Sequence, residues 1–492
     1  MKGVIGLAFM VLAALPAVAM PAYAVEPSAN INDIRYTDDM WSEEFLGIEA
    51  ENPIYLPENL EVEITPPPAN DSPEKAEDIA FLFWLEKNKR SPDQVEKIIT
   101  EQRGTTDLVF GLGEKIPQDV QAMVDEIRYE SMRDLDYQLY RLKRKYKHPR
   151  PTQLAPELTL VIPIPGSPAY PSGHAGIAWM GGLVYSYIDP KNAGKYMQYA
   201  GDVGLRRCIS GIHYLVDGAG GRELADKVFK LLLDVPAYKQ KLDAAKKAYE
   251  DSEVGKNSVA VTDEINSIRY PREKWNPEFV QALKDGPMLL DRNLKFSVAP
   301  YPPNGSTQTQ AELDLLREYQ KNRRTSEEIK KIHDENGDST ELLTGGPLIR
   351  QFDKNASLQA LWPKAYADIT YFLMVYKMEH LRARPTQLAS DLTTVIDVPL
   401  HASYPSGHAA HTRLLADILG AIDEKNALEY KKMALDIGRR REIAGLHYPS
   451  DTHAGITLAD AVFEKLIEVP EFKNEINKAK EEFLRMEKAS IN

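Results

Sequence analysis

Seven polar residues occur in this chain twice, in the same order and 234 positions apart. The first set is Lys143, Arg150, Ser172, His174, Arg207, His213 and Asp217; the second is Lys377, Arg384, Ser406, His408, Arg441, His447 and Asp451. No net insertion separates any landmark from the next, so what one set can build the other can build too. At the same offset Ile34-Arg35-Tyr36 recurs as Ile268-Arg269-Tyr270, Trp41 as Trp275, Lys87-Asn88 as Lys321-Asn322 and Val235-Pro236 as Val469-Pro470. A period of this size is a domain repeated, and two domains are the expected number for 492 residues. The expected division is 1–24 as a leader, 25–255 as the first domain and 256–492 as the second. The join falls in the polar stretch from Lys246 to Thr262, which reads as an exposed connection.

Residues 1–24 carry Lys2, an apolar stretch from Gly3 to about Ala19, and Ala22-Tyr23-Ala24 before Val25. That is the pattern of a cleaved export signal, with Pro16 and Pro21 arguing against a membrane anchor. The mature chain is therefore expected to be soluble and periplasmic or secreted, without a stable membrane span. Cys208 is the only cysteine, so no intramolecular disulfide can form. Hydrophobic residues make up 43% and charged residues 27%, as in ordinary folded proteins. A net charge of −13 excludes a general nucleic-acid or anionic-membrane binder, and any anion site must be a local basic pocket.

Each half reads as all-α. Gln121 to Lys147 and Ala365 to Leu381 are long, carry apolar residues at threes and fours, and lack internal Pro or Gly. Pro66-Pro67-Pro68 and Tyr301-Pro302-Pro303 are expected in extended loops. We expect two tandem helical bundles with the motifs at helix ends.

Three motif elements carry the chemistry. In the first, Lys143 precedes Arg150-Pro151, and Lys377 precedes Arg384-Pro385. Proline disfavours helical geometry at the arginine before it, so the lysine belongs late on a helix and the arginine on the loop leaving it, both aimed at one anion. The second is Ser172-Gly173-His174 and Ser406-Gly407-His408 at the start of an apolar run. A hydroxyl, unblocked N–H groups and the positive end of a helix suit a phosphate. The third is Arg207, His213 and Asp217, and Arg441, His447 and Asp451. Residues four apart share a helical face, so the aspartate can accept from one imidazole nitrogen and leave the other nucleophilic. Each element alone also fits a duller reading: a solvated basic face, a serine N-cap, a surface His/Asp pair. The ordered conjunction, present twice, does not share it.

That conjunction resembles the type 2 phosphatidic acid phosphatase superfamily, which also holds the bacterial class A nonspecific acid phosphatases and the vanadium-dependent haloperoxidases. The resemblance covers Lys143 to Asp217 and Lys377 to Asp451, and the arms before them lie outside it. It implies an acid phosphatase acting on small-molecule phosphate monoesters without metal or other cofactor. Lys143, Arg150, Arg207, Ser172 and Gly173 would hold the phosphate. His213 would attack phosphorus to give a phosphohistidine, Asp217 would orient it, and His174 would protonate the leaving oxygen. The second copy carries the same roles at Lys377, Arg384, Arg441, Ser406, Gly407, His447, Asp451 and His408. The arginine of the third element is usually preceded by serine; here Arg206 and Arg440 stand there, and spacing favours Arg207 and Arg441. Tyr448-Pro449-Ser450-Asp451 is closer to the usual form than Tyr214-Leu215-Val216-Asp217, which makes the first the expected weaker site.

Two other function classes stay open at this point. A vanadate-dependent haloperoxidase would use the same cradle, and a non-catalytic phosphate-ligand binder would need only the cations. His401, His411 and His453 surround the second set, but their first-copy counterparts are Ser167, Ile177 and Ala219, so no metal is expected. Cys208 reads as a buried inert thiol. The equal halves suggest a pseudo-dimer within one chain.

Overall fold

The computed structural model describes residues 30–103, 117–257, 264–336 and 354–491. The expected leader, 1–24, lies outside them, as does the end of the expected connection. Among the described residues the regular elements are all helical; no strand forms, and one isolated bridge joins Arg269 to Arg382. The first half runs α1 Glu43–Glu49, α2 Pro73–Lys89, α3 Pro92–Arg103, α4 Gln118–Tyr146, α5 Pro151–Leu154, α6 Gly173–Ile188, α7 Ala193–Ile209, α8 Leu215–Leu233, α9 Pro236–Asp251 and α10 Glu253–Asn257. The second runs α11 Glu264–Ser267, α12 Pro277–Asp285, α13 Thr307–Asn322, α14 Ser326–Asp334, α15 Ala356–His380, α16 Pro385–Leu388, α17 Gly407–Ile422, α18 Ala427–Ile443, α19 Pro449–Leu466 and α20 Pro470–Ile491. From α2 to α9 each helix has a counterpart beginning at or near the same 234-residue offset.

Local chemistry sets the boundaries. Ser72 and Ser306 accept from the backbone N–H groups of Lys75 and Thr309 and so cap α2 and α13. Helix α4 ends where Lys147 turns left-handed, at φ 47, and α15 ends at Leu381, at φ 48. Past these points the arginine before each proline is extended. Two expectations are corrected. Helix α15 starts at Ala356, nine residues before Ala365, and runs through Pro363; burial of Leu358, Leu361 and Trp362 beside the proline offsets the lost backbone bond. The described part of the stretch from Lys246 is exposed at Lys247, Glu250, Asp251 and Glu253, but it is helical rather than a loop: two helices, α9 and α10, continue to Asn257, and Tyr249 is buried with its hydroxyl 2.9 Å from Asp189.

In each half the central apolar helix, α6 or α17, packs against the long helix and the two helices that follow it. The irregular arms pack on the long helix at matching bends: buried Asp134 of α4 accepts from the backbone N–H groups of Ile54, Tyr55 and Leu56, and Asp368 of α15 from those of Met288, Leu289 and Leu290. Helix α8 passes very close to the start of α6. A Cβ on Gly221 would overlap the Ser172 carbonyl, and one on Gly455 the Ser406 carbonyl, so only glycine lets α8 and α19 carry their aspartates to the serine caps.

The halves share an interface. Helix α2 packs on α7 of its own half and on α18, while α13 packs on α18 and α7. One apolar cluster joins Phe81, Leu82 and Leu85 of α2 to Ala311 and Leu315 of α13. Between the halves lies a cavity of about 340 Å³ with Glu77, Asp78, Glu442 and His453 on its walls. The proline-rich pieces are extended, as expected, and Pro66 and Pro302 face this cavity.

Candidate active site

The end of α4, the loop after it, the start of α6, the end of α7 and the start of α8 meet inside the first half. Lys143 and Arg150 are 1% exposed and Arg207 is fully buried, which for cations requires partners. Lys143 donates to the Pro168 carbonyl. Arg150 donates to the Ser167 carbonyl at 2.9 and 2.7 Å, to the Ile212 carbonyl at 2.9 Å, and through its NH1 group to His213 Nε2 at 3.0 Å. His213 Nδ1 lies 3.0 Å from Asp217 Oδ2, and the Tyr214 N–H donates to the same oxygen. The Ser172 N–H donates to the Asp217 carbonyl, and its hydroxyl caps α6 by accepting from Ala175 at 3.4 Å.

The second half repeats this geometry. Lys377 donates to the carbonyls of Ala402 and Ser403, and Arg384 to those of His401 and Leu446 and to His447 Nε2 at 3.0 Å. His447 Nδ1 is 3.1 Å from Asp451 Oδ2, and Ser406 caps α17. Of the other second-half histidines, His401 Nδ1 meets Arg384, the arginine that also reaches His447, at 3.1 Å, His411 meets the Thr370 hydroxyl at 3.0 Å, and His453 faces the cavity between the halves. Cys208 is buried, and burial pushes its thiol up.

Arg207 spends one guanidinium nitrogen on Glu101, at 2.6 Å, while its Nε and NH1 groups are buried without a partner. Arg441 does the same with Glu335, at 3.1 Å, leaving its own Nε and NH1 unpartnered. Of the two adjacent arginines, Arg207 is the one whose charge bears on His174; Arg206 turns to Glu101 and Tyr199. Burial, then the Arg207 charge, holds His174 well below the ordinary histidine range, and burial with Arg441 does so for His408. Burial, then Arg150, lowers His213 to about 3, and burial, then Arg384, lowers His447 to about 3. Burial alone would raise Asp217, but hydrogen bonds from His148 and His213 hold its carboxyl below the usual range. Each site thus concentrates guanidinium cations and neutral imidazoles around donors with nothing to donate to, which is the electrostatics of an anion pocket.

Several residues that build this pocket lie outside the motifs. Glu101 and Glu335 hold the third-element arginines, and Lys75, His148, Ser403 and Arg382 stand around the aspartates. Glu101 and Glu335 are themselves 234 apart, so extending the repeat comparison into the arms would have found them.

No protein-family model matches the chain. Stretches of it are similar to nonspecific acid phosphatases: 35% identity over 88 residues with that of Providencia stuartii, covering 18% of this chain and 36% of the relative. The protein of Salmonella typhi is 36% identical over 80 residues, 16% of this chain and 32% of the relative. That of Salmonella typhimurium is 32% identical over 110 residues, 22% and 44% respectively. The chain thus spans less than half the length of the curated relatives it matches. Among solved structures, a bacterial vanadium-dependent iodoperoxidase aligns with 73% of this chain and 96% of its own at 12% identity, with a TM-score of 0.31.

Proposed function

We propose that this chain is an exported acid phosphatase with two catalytic domains, 25–255 and 256–492, each hydrolysing small-molecule phosphate monoesters through a phosphohistidine without metal. The observation that carries this reading is the pair of buried arginines, Arg207 and Arg441, each with unpartnered N–H groups next to neutral histidines. The acid phosphatase relatives support it over the stretches they match.

Phosphoryl transfer asks for in-line positioning and neutralised equatorial charge. Lys143, Arg150 and Arg207, with the α6 N-terminus at Ser172 and Gly173, supply that charge. The Arg150 N–H now given to His213 Nε2 is a donor that a phosphate oxygen can take over, which frees the Nε2 lone pair for attack on phosphorus. Asp217 keeps the His213 proton on Nδ1 and stabilises the ring as it becomes cationic. His174 delivers a proton to the departing ester oxygen, then removes one from the water that cleaves the P–N bond. His447, Asp451, His408, Lys377, Arg384, Arg441, Ser406 and Gly407 act in the same way in the second half.

The test is a set of three variants, His213→Ala, His447→Ala and both, assayed on 4-nitrophenyl phosphate across pH. Each single variant is expected to keep the other site's turnover and the double variant to lose about a thousandfold or more. Full activity in the double variant would overturn the mechanism. Vanadate is expected only to inhibit; vanadate-dependent halide peroxidation would replace the phosphatase reading with the haloperoxidase one.

A further inference from the structure

Behind the two aspartates the halves differ in sequence yet present the same charges. In the first half Asp217 Oδ1 is 3.0 Å from Nδ1 of buried His148, and His148 Nε2 is 2.9 Å from Nζ of fully buried Lys75. An ammonium only donates, so His148 Nε2 accepts, its proton sits on Nδ1, and it donates to Asp217. The Lys75 ammonium also lies 3.7 Å above the Tyr214 ring, with buried Asp78 beside it. In the second half Arg382 reaches Asp451 Oδ1 directly at 2.6 Å, lies 3.9 Å above the Tyr448 ring, and pairs with buried Glu312 at 3.4 Å.

The positions correspond at the repeat offset: 75 with 309, 78 with 312, 148 with 382, and 214 with 448. The tyrosine and the outer carboxylate are kept in kind. Lysine and histidine at 75 and 148 have become threonine and arginine at 309 and 382. Losing the cation from the helix α2 position accompanies gaining one at the loop position, and in both halves a cation sits over the corresponding tyrosine ring.

We propose that each site requires one buried cation seated on this tyrosine behind its aspartate, and that Lys75 acting through His148, and Arg382 acting alone, are interchangeable ways of supplying it. These are positioning residues. They fix the carboxylate so that its other oxygen holds the proton of His213 or His447 on Nδ1, a role that rests on the phosphatase reading. The cation also offsets the cost of a buried carboxylate facing a second carboxylate, Asp78 or Glu312.

The experiment uses the full chain with His447→Ala, so that only the first site reports. Lys75→Thr is expected to lower kcat about ten- to a hundredfold with KM within about threefold, the range lost with partners behind ligating histidines. Adding His148→Arg, which installs the second half's solution, is expected to return kcat to within about threefold of the parent, the signature of a coupled pair. The mirror pair, Arg382→His with Thr309→Lys over His213→Ala, should show the same loss and rescue, and it decides the matter if the first pair does not fold. Wild-type turnover in Lys75→Thr, or a folded pair no better than the single variant, would overturn the proposal. Ring 15N shifts supply a readout that needs no turnover. The parent should carry Nδ1–H on His148 and His213, and Lys75→Thr should move the His213 proton; an unmoved proton counts against the relay. If the parent released no phosphate, the phosphatase reading would fall and these shifts would still decide the relay.

Discussion

At the scale of single residues the site turns on one opposition, between Arg207 and His174. The acid role proposed for His174 needs a proton on it, yet burial and then the Arg207 charge hold that imidazole well below its ordinary range. A depressed pKa means the proton is present only at acid pH, so kcat/KM, which reports the free enzyme, should rise as pH falls. A bound phosphate adds negative charge beside the ring and moves the same limb of kcat to higher pH. Arg207→Ala, made over His447→Ala, separates the two functions of that arginine. Losing its unpartnered donors should lower kcat by about a hundredfold, as for one lost oxyanion donor. Removing its charge should shift that limb of kcat/KM, the one along which activity falls as pH rises, to higher pH. A pH–rate profile checks both; a limb that stays in place or moves down would show that Arg207 does not set the His174 proton.

At the scale of elements the arms explain why part of the molecule was hidden in the sequence. Helices α4 and α6 were legible because burial imposes a helical period on long segments and proline marks their ends. The seven-residue sets were legible because chemistry fixes residue type and spacing together. The arm around residues 54–56 has neither signal: it is irregular and bent, and its backbone N–H groups are satisfied by Asp134, some 80 residues away. Nothing in the local sequence of Ile54-Tyr55-Leu56 announces a carboxylate on α4. Lys75 acts on a residue far along the chain and carries no such mark, whereas Glu101, equally remote from Arg207, is marked only by its repeat at Glu335. Asp134 is the element-scale test. Asp134→Ala leaves three backbone donors without their acceptor and should cost roughly 2–4 kcal/mol, read as a lower denaturation midpoint. An unchanged midpoint would mean the arm is held by its apolar contacts alone.

At the scale of the whole molecule, carboxylates buried at the junction between halves and histidines buried mostly inside each half have opposite titration behaviour. Glu77 is raised to about 7 by burial, Asp78 to about 7 by burial, and Glu442 to about 8 by burial and then by Glu77. A carboxylate raised on folding binds more protons folded than unfolded, so its contribution is full at acid pH and is lost as pH rises through the folded value. The histidines run the other way. Burial lowers His148, His380 and His453 to about 4 and His213, His411 and His447 to about 3. A histidine lowered on folding contributes fully above its unfolded value of about 6.5 and loses that contribution as pH falls. Between about pH 4 and 6.5 the two slopes oppose each other, and outside that window each acts alone. The melting temperature should therefore peak near pH 6 to 7 and fall on both sides. Glu442→Gln removes the carboxylate raised furthest among these three, so it should flatten the alkaline side and, by removing a slope that opposes the histidines, steepen the acid side between about pH 4 and 6.5. Melting curves from pH 4 to 9 decide it: an alkaline limb as steep in Glu442→Gln as in the parent would show that this junction carboxylate does not set it.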